Sequence, residues 1–313
     1  MKKLISVVTP CFNEEENVEE IAKAVRKIFD DFPQYDFEHI FIDNASTDKT
    51  QILLRKMAKA DKSIKVIINV RNFGHIRSPY YGLLQGRGDA VMNFAADFQD
   101  PPEMLAKFLR KWKEGYKVVL GVKKSSGENP VMFAIRKAYY ALISSLSDVE
   151  ITKNNTGFGL YDKCVIQELR KLNEPYPFLR GEVADLGYES AKIEYFQPAR
   201  KRGLSKVNFY MMYDIGILGI INHSKVPLRL AVFGGFICAG LSFLAAVAYF
   251  IHKLLHWDSF TVGIAPAVIG LFLFASIQLI FLGVLGEYIG AIYTQTLRRP
   301  LVIEKERINF DEK

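Results

Sequence analysis

Two oxygen-bearing side chains follow a strongly apolar run near the middle of the chain. Asp97 and Gln99 come shortly after DAVMNF at 89–94, and alternate residues of an extended segment project to the same side. Carboxylate and amide oxygens, with phosphates and water, are ligands that Mg²⁺ and Mn²⁺ prefer. The pair therefore predicts a divalent metal site. Asp100 is a further acid, although before Pro101 it can also be only the start signal of a helix.

Another acid, Asp43, lies in the apolar run HIFIDN at 39–44. A carboxylate at the end of a strand can accept hydrogen bonds from the ring N–H of a nucleotide base or from ribose hydroxyls. Ser46 or Thr47, just beyond it, can instead serve only as the cap of the next helix. This loop taken alone leaves both interpretations open.

A basic loop near residue 200 has the composition of a phosphate-binding segment. Arg200, Ser205 and Lys206 lie in RKRGLSK at 200–206, where Gly203 and Ser205 favour a loop that closes around phosphate oxygens. The alternative is a basic cluster beside a membrane that attracts anionic lipids without a specific ligand.

Short β-rich runs alternate with helical patterns along the first 122 residues, which predicts a parallel sheet with helices on both faces. Ligands of such sheets bind beyond the carboxyl ends of the strands, so Asp43, Asp97 and Gln99 are expected at one edge. The predicted strands are 4–10, 39–44, 64–70, 89–94 and 116–122, and the predicted helices are 15–29, 47–59, 75–85 and 102–113.

Two long uncharged stretches near the C-terminus predict two transmembrane helices. Residues 231–251 and 262–286 contain no charged side chain, and about 20 apolar residues cross ~30 Å of hydrocarbon. Buried core helices are the alternative, but these usually carry a polar stripe. Basic residues flank the outer ends of the pair, which predicts that both ends face the cytosol. These residues are Lys225, Arg229, Arg298 and Arg299.

Composition narrows the function classes. The 313 residues are 50% hydrophobic and 24% charged, with a net charge of +7, which excludes a disordered chain. Residues 200–229 with Arg298 and Arg299 hold eight Lys and Arg and one Asp, which equals the whole excess. A membrane surface or phosphate partner is therefore favoured over nucleic acid. Three distant cysteines without a CxxC pair indicate a reducing compartment.

Five motifs precede the two apolar stretches, in the order TPCFNEEENV, IDNASTD, NVRNFGH, ADFQDPPE and RKRGLSK. With them the chain resembles, over essentially its whole length, the polyprenyl-phosphate glycosyltransferases of glycosyltransferase family two. Bactoprenol glucosyltransferases and dolichol-phosphate mannose synthase are members. The resemblance implies an α/β fold, with a cytosolic GT-A (Rossmann-like) domain followed by an interfacial helix and two transmembrane helices.

The resemblance also implies a function. Sugar would pass with inversion from a nucleotide sugar, UDP-glucose or a related UDP-sugar, to polyprenyl (undecaprenyl) phosphate at the cytosolic face of the inner (plasma) membrane. Mg²⁺ or Mn²⁺ would assist, and the bilayer is a further partner, with a homo-oligomer left open. Asp97, Asp100, Arg200 and Lys206 would be catalytic; Pro10, Asn13, Glu14, Asp43 and Ser205 would bind the nucleotide sugar; Asp97 and Gln99 would bind the metal.

The implied division of the chain has four parts. Residues 1–206 form the GT-A catalytic domain, 207–225 an interfacial amphipathic helix region, 226–297 a two-helix transmembrane hairpin, and 298–313 a cytosolic C-terminal tail. For residues 207–222 the alternative is a helix packed on the catalytic domain.

Two departures from the family pattern concern carboxylates. Relatives often have Asp where this chain has Ala95, and many read G-D-F-R-L where it has TGFGL at 156–160. An Asp and an Arg are thus replaced by Gly157 and Gly159. A catalytically idle membrane scaffold or nucleotide-sugar sensor is therefore the alternative function. A processive polysaccharide synthase is disfavoured, because neither Trp112 nor Trp257 lies in a Q-x-x-R-W motif.

Overall fold

The architecture is taken from a computed structural model. It describes residues 2–125, 151–198, 219, 221, 224–255 and 264–310. The predicted loop residues Arg200, Ser205 and Lys206 lie outside these ranges, as does most of the predicted interfacial region 207–225.

One twisted sheet organises the N-terminal two thirds of the chain. Within the described residues it has eight strands in the order β7-β5-β6-β4-β1-β2-β3-β8. The strands are β1 Lys3–Cys11, β2 Tyr35–Asp43, β3 Ile64–Asn69, β4 Ala90–Asn93, β5 Val118–Ser125, β6 Asn155–Asp162, β7 Ser190–Phe196 and β8 Glu304–Ile308.

The order of the strands defines where a ligand can enter. β1 pairs in parallel with β2 on one side and with β4 on the other. The chain runs outward from β1 through β2 to β3 and then crosses back to β4. The carboxyl ends of β1 and β4 therefore flank a topological switch point, which is where open α/β sheets bind ligands.

Helices cover both faces of the sheet, as the alternating pattern predicts. On α1, Val18, Ile21, Val25 and Phe29 are buried, a spacing that places them on one side of a helix. Helices α1, α2 and α4 pack on one face with the first core cluster, and α3, α5 and α6 lie with the second. They are α1 Val18–Asp30, α2 Thr50–Ala60, α3 Gly74–Gln85, α4 Glu103–Lys113, α5 Lys163–Leu172 and α6 Leu179–Asp185.

Two long helices, α7 Val226–Leu255 and α8 Ile264–Thr296, follow the sheet domain. Each is long and apolar enough to cross a membrane. Large apolar side chains such as Phe236 and Phe272 are exposed along them, as expected of surfaces that face lipid rather than water. The predicted stretches 231–251 and 262–286 are largely contained in these two helices.

The sheet is mixed, not wholly parallel. β6 pairs antiparallel with both β4 and β5, and β8 pairs antiparallel with β3. The predicted C-terminal tail, 298–313, thus contains the edge strand of this sheet. Its charged sequence EKERI gave no strand signal, because an edge strand with one solvated face tolerates polar residues.

Asn309 fixes the end of β8 to the sheet domain. Its side-chain amide donates to the carbonyl oxygens of Ala58, at 2.6 Å, and Ile64, at 2.8 Å. Its φ of 62° lies in the left-handed region that Asn and Gly tolerate best.

Replacing Asn309 with Gly keeps this backbone conformation accessible but removes both donors. We expect Asn309→Gly to lower the free energy of unfolding by about 1–3 kcal/mol, because two carbonyl oxygens lose their partners. Denaturant unfolding of the purified chain measures the change. Lys305→Ala, on the exposed side of β8, is the matched control, and an equal loss in both variants would contradict the assignment.

Candidate active site

The loops after β1 and β2 are joined by reciprocal hydrogen bonds between side chains and backbone. The backbone N–H of Asn13 donates to Ser46 Oγ at 2.8 Å, and the Asn13 Oδ1 accepts from the backbone N–H of Thr47 at 2.8 Å. The backbone N–H of Glu14 donates to Thr50 Oγ1 at 2.9 Å. These contacts hold the two loops as one unit, because each loop satisfies backbone groups of the other.

The acidic run after Asn13 completes this junction. Glu15 accepts from the backbone N–H of Lys49 at 2.8 Å, and its own N–H donates to Asp48 at 3.2 Å. Glu14 accepts from the side chain of Asn17 at 2.6 Å. These acids, which precede α1, therefore join the two loops.

Asp43 lies at the base of this junction and is fully buried. Its Oδ2 accepts from the backbone N–H of Ser46 at 3.0 Å. Its Oδ1 is buried and, among the described residues, has no hydrogen-bond partner. Burial raises the pKa of Asp43, and hydrogen bonds from Ser46 oppose that shift. A buried acceptor without a donor is costly, so a ligand N–H or O–H fits this position.

Pro10 is close to these groups by register. It is half-buried and pairs with Ile42, one residue before Asp43, across the parallel ladder of β1 and β2. The four residues predicted to hold a nucleoside, Pro10, Asn13, Glu14 and Asp43, are therefore brought together at the carboxyl ends of these strands.

A third loop, which contains the motif NVRNFGH at 69–75, is tied to the same edge by Asn44. The Asn44 side-chain amide donates to Asn72 Oδ1 at 2.9 Å and to the carbonyl oxygen of Gly74 at 3.0 Å. Its Oδ1 accepts from the backbone N–H of Phe73 at 2.9 Å. In the sequence Asn44 is only a polar residue next to Asp43, and this position does not indicate that it binds another loop.

Asp97 and Gln99 follow β4 at the switch point. Both are half-buried, whereas Phe98 between them is buried, and the segment is a turn and not the extended strand that the sequence predicts. The backbone N–H of Gln99 donates to Asp97 Oδ1 at 3.1 Å, and Phe98 has a φ of 55°. The turn contains a carboxylate and an amide two residues apart, and these are oxygen donors of the kind that Mg²⁺ or Mn²⁺ binds together with phosphate and water ligands.

Asp100 has a different environment from Asp97. It is buried and accepts a hydrogen bond from the hydroxyl of Tyr195, on β7, at 2.8 Å. Burial raises its pKa to about 6, a shift that the Tyr195 hydrogen bond opposes and the nearby charge of Asp97 reinforces. The Asp100 carboxylate thus links the loop that contains Asp97 to β7. Its raised pKa is also close to neutral pH, as expected of a group that accepts a proton during a reaction.

Comparison with known proteins identifies the family. A model described as Glycosyl transferase family 2 matches residues 6–168. The uncharacterized glycosyltransferase YkcC of Bacillus subtilis (strain 168) is 33% identical over 309 residues, which are 98% of this chain and 95% of YkcC. The chain belongs to glycosyl transferase family 2. The α/β sheet domain is accordingly the GT-A domain that the motifs imply.

Two further similarities concern named activities. The bactoprenol glucosyl transferase of Shigella phage SfV is 32% identical over 302 residues, which are 96% of this chain and 98% of that protein. Among solved structures, the mannosyltransferase PcManGT of Pyrobaculum calidifontis, in complex with GDP-Man and Mn²⁺, is 14% identical with a TM-score of 0.46. It covers 95% of this chain and 87% of that one.

The two glycines that depart from the family 2 pattern are required by the backbone of β6. Gly157 has a φ of 88°, a conformation that glycine adopts readily and other residues rarely. A Cβ at Gly159 would collide with the carbonyl oxygen of Val119, on the paired strand β5. An Asp at 157 and an Arg at 159 could not be accommodated without moving β6. The backbone of this strand therefore favours glycine at both positions.

Glu182 is a further acid of the sheet domain, and its contacts link α6 to α3. It is buried and accepts from the hydroxyl of Tyr80, at 2.7 Å, and from the backbone N–H of Phe178, at 3.0 Å. Burial raises its pKa from the ordinary 4.5 to about 7, and these two hydrogen bonds oppose that shift.

The raised pKa of Glu182 makes stability depend on pH. Between about pH 4.5 and 7 the folded state binds this proton and the unfolded state does not, so this contribution to the free energy of unfolding falls as pH rises. In Glu182→Gln the fall should be smaller by on the order of 1–3 kcal/mol. Denaturant unfolding from pH 4.5 to 8 measures it. The exposed Glu189→Gln is the control, and parallel curves for wild type and Glu182→Gln would contradict the assignment.

Proposed function

We propose that this protein transfers a sugar from a nucleotide sugar to the phosphate of a polyprenyl phosphate. The donor is UDP-glucose or a related UDP-sugar, and the acceptor is undecaprenyl phosphate. The observation that carries the proposal is the buried Asp43 carboxylate with one oxygen unpartnered among the described residues. Asp43 ends β2 and the turn with Asp97 and Gln99 follows β4 in the same sheet, and the family 2 chain also has two long apolar helices.

The nucleoside half of the donor binds at the joined loops after β1 and β2. Asp43 Oδ1 accepts from the ring N–H of the base, and that hydrogen bond relieves the cost of the buried unpartnered acceptor. Pro10, Asn13 and Glu14 line the same edge. The support is their shared position at the carboxyl ends of two parallel strands.

The diphosphate of the donor binds toward Asp97 and Gln99. These two residues would hold Mg²⁺ or Mn²⁺, which when bound stabilises the negative charge on the departing nucleoside diphosphate. Arg200, Ser205 and Lys206, outside the described residues, supply further charge and hydrogen bonds to the phosphates. Ala95 has no side-chain oxygen to bind the metal. This chain therefore offers the metal one carboxylate, that of Asp97, where relatives often have two.

The acceptor needs no strong base. A phosphate monoester has its second pKa near ~6, so it is mostly dianionic at neutral pH. One of its oxygens attacks the anomeric carbon as the bond from that carbon to the diphosphate oxygen breaks. The nucleoside diphosphate leaves with the bonding electron pair, and a single displacement inverts the anomeric centre. The protein's task is to align two anions and to neutralise their charge.

The two long helices bring this reaction to the membrane. We place α7 and α8 across the inner (plasma) membrane, with the GT-A domain and both termini in the cytosol. The basic residues flanking the pair support this orientation. The attachment of β8 to the GT-A sheet also supports it, since β8 follows α8 and must lie on the same side as that domain.

An assay with membranes tests the proposal directly. Membranes that contain the protein, incubated with labelled UDP-glucose and undecaprenyl phosphate, should yield a chloroform-extractable, acid-labile sugar. Donor binding by calorimetry without any such product would favour the alternative, a catalytically idle scaffold or sensor, which Ala95 motivates. No product with any UDP-sugar or other nucleotide sugar would overturn the proposal.

Removing the Asp97 carboxylate should reduce turnover by roughly 10²–10³-fold, because the charge that develops on the leaving diphosphate loses its stabilisation. Asp97→Ala and Glu189→Gln are compared in the lipid-product assay at saturating donor. Glu189 is exposed and should leave the rate unchanged. An Asp97→Ala rate within twofold of wild type would refute the role given to this residue.

Asp43→Asn places an N–H₂ group or a weaker acceptor opposite the ring N–H of the base. We expect UDP to bind roughly 10- to 100-fold more weakly, in line with a lost hydrogen bond to a charged group. Calorimetry with UDP measures the affinity without requiring turnover. Asp48→Asn, at the outer part of the same loop, is the control for general loosening. Equal affinities for wild type and Asp43→Asn would place the base elsewhere.

A further inference from the structure

Three arginines from two distant parts of the chain lie close enough for their charges to interact, and we call them the arginine cluster: Arg71, Arg77 and Arg299. Arg71 and Arg77 both lie over the ring of Phe73, with their guanidinium carbons 4.0 Å and 5.5 Å from the ring centroid. Arg71 follows β3, and Arg77 lies in the first turn of α3. Arg299 follows the end of α8.

Backbone contacts hold these two parts together. The Arg77 guanidinium donates to the carbonyl oxygen of Pro300. The backbone N–H of Val70 donates to the carbonyl oxygen of Ile303 at 3.0 Å. The segment leaving α8 thus lies along the loop between β3 and α3, and the pairing of β8 with β3 continues that contact.

The cluster concentrates positive charge without a matching acid. Among the described residues, no carboxylate forms an ion pair with any of its three members. Arg77 Nε is buried and has no acceptor within the described ranges. Burial lowers the pKa of Arg77, and the nearby charges of Arg71 and Arg299 lower it further. Positive charges that lie close together repel one another, so a bound anion would stabilise the arginine cluster.

The position of the cluster indicates which anion this is. Apart from Glu287, the C-terminal third of α8 remains largely apolar, and Ile292 and Tyr293 near its end are 60% and 62% exposed. The helix ends at Thr296, so Arg299 lies just beyond the apolar surface. With α8 across a bilayer, the guanidinium groups of the arginine cluster lie at the depth of the lipid headgroups, where arginine binds phosphate in a bidentate geometry.

We propose that the arginine cluster binds the phosphate headgroup of an anionic membrane phospholipid and thereby holds the GT-A domain against the bilayer. The inference rests on the proposed membrane placement of α8. It concerns a structural lipid, separate from the lipid acceptor of the transfer reaction. The same loop contains Asn72, which Asn44 binds beside Asp43, so the bound lipid also fixes the donor edge relative to the membrane.

Lipid binding to the full chain in detergent tests the inference. Native mass spectrometry measures the affinity for phosphatidylglycerol and for phosphatidylcholine, with inorganic phosphate as a competitor. Arg71→Gln/Arg299→Gln removes two exposed members of the cluster and spares the Arg77 contact with Pro300. The matched control is Lys107→Gln/Arg110→Gln, two exposed basic residues of α4.

Wild type should bind phosphatidylglycerol more tightly than phosphatidylcholine. The cluster variant should lose about 30-fold in affinity for phosphatidylglycerol, from about 5-fold per basic residue, and the control should match wild type. Equal affinities in wild type and the cluster variant would overturn the inference, as would displacement of the lipid by an equal concentration of inorganic phosphate. Because binding is measured without turnover, its failure is separate from a failure of the transferase assay.

Discussion

The candidate site depends on the mutual hydrogen bonding of two loops. The backbone N–H of Asn13 donates to Ser46 Oγ, and Asn13 Oδ1 accepts from the backbone N–H of Thr47, so the loops after β1 and β2 are joined. The backbone N–H of Glu14 extends the contact by donating to Thr50 Oγ1. Because backbone N–H groups are satisfied by the opposite loop, neither loop can move alone without exposing unpaired donors. The rigidity of this pair keeps Asp43 buried with one oxygen still available, which a mobile loop would leave hydrated.

Much of the fold could be predicted from local patterns. The apolar runs that became β1 to β5 and the amphipathic segments between them follow periods that packing on a sheet requires. β6 and β8 could not be predicted in this way. β6 begins with TGFGL, where glycines mask the strand signal, and β8 is the charged run EKERI, whose pairing with β3 spans most of the chain. Such long-range pairing leaves no local signature.

For the candidate site, residue type and strand ends predict Asp43, Asp97 and Gln99, and the structure places them at or after the ends of β2 and β4. The sequence could not distinguish Asp97 from Asp100, whose environments differ because alternate residues face solvent and core. Nor could it reveal Asn44, whose importance comes from three partners on another loop. From the sequence, Gly157 and Gly159 are interpreted as replacements of an Asp and an Arg that relatives carry. The structure shows that the backbone of β6 favours glycine at both positions.

A structure of the protein bound to UDP and Mn²⁺ tests the central claim most directly. The account predicts that the ring N–H of the base lies within about 3 Å of Asp43 Oδ1, a normal hydrogen-bond distance. It also predicts that the loops after β1 and β2 move by less than about 1 Å, as in preorganised sites. A base bound away from Asp43, or a site formed only after these loops separate, would contradict it.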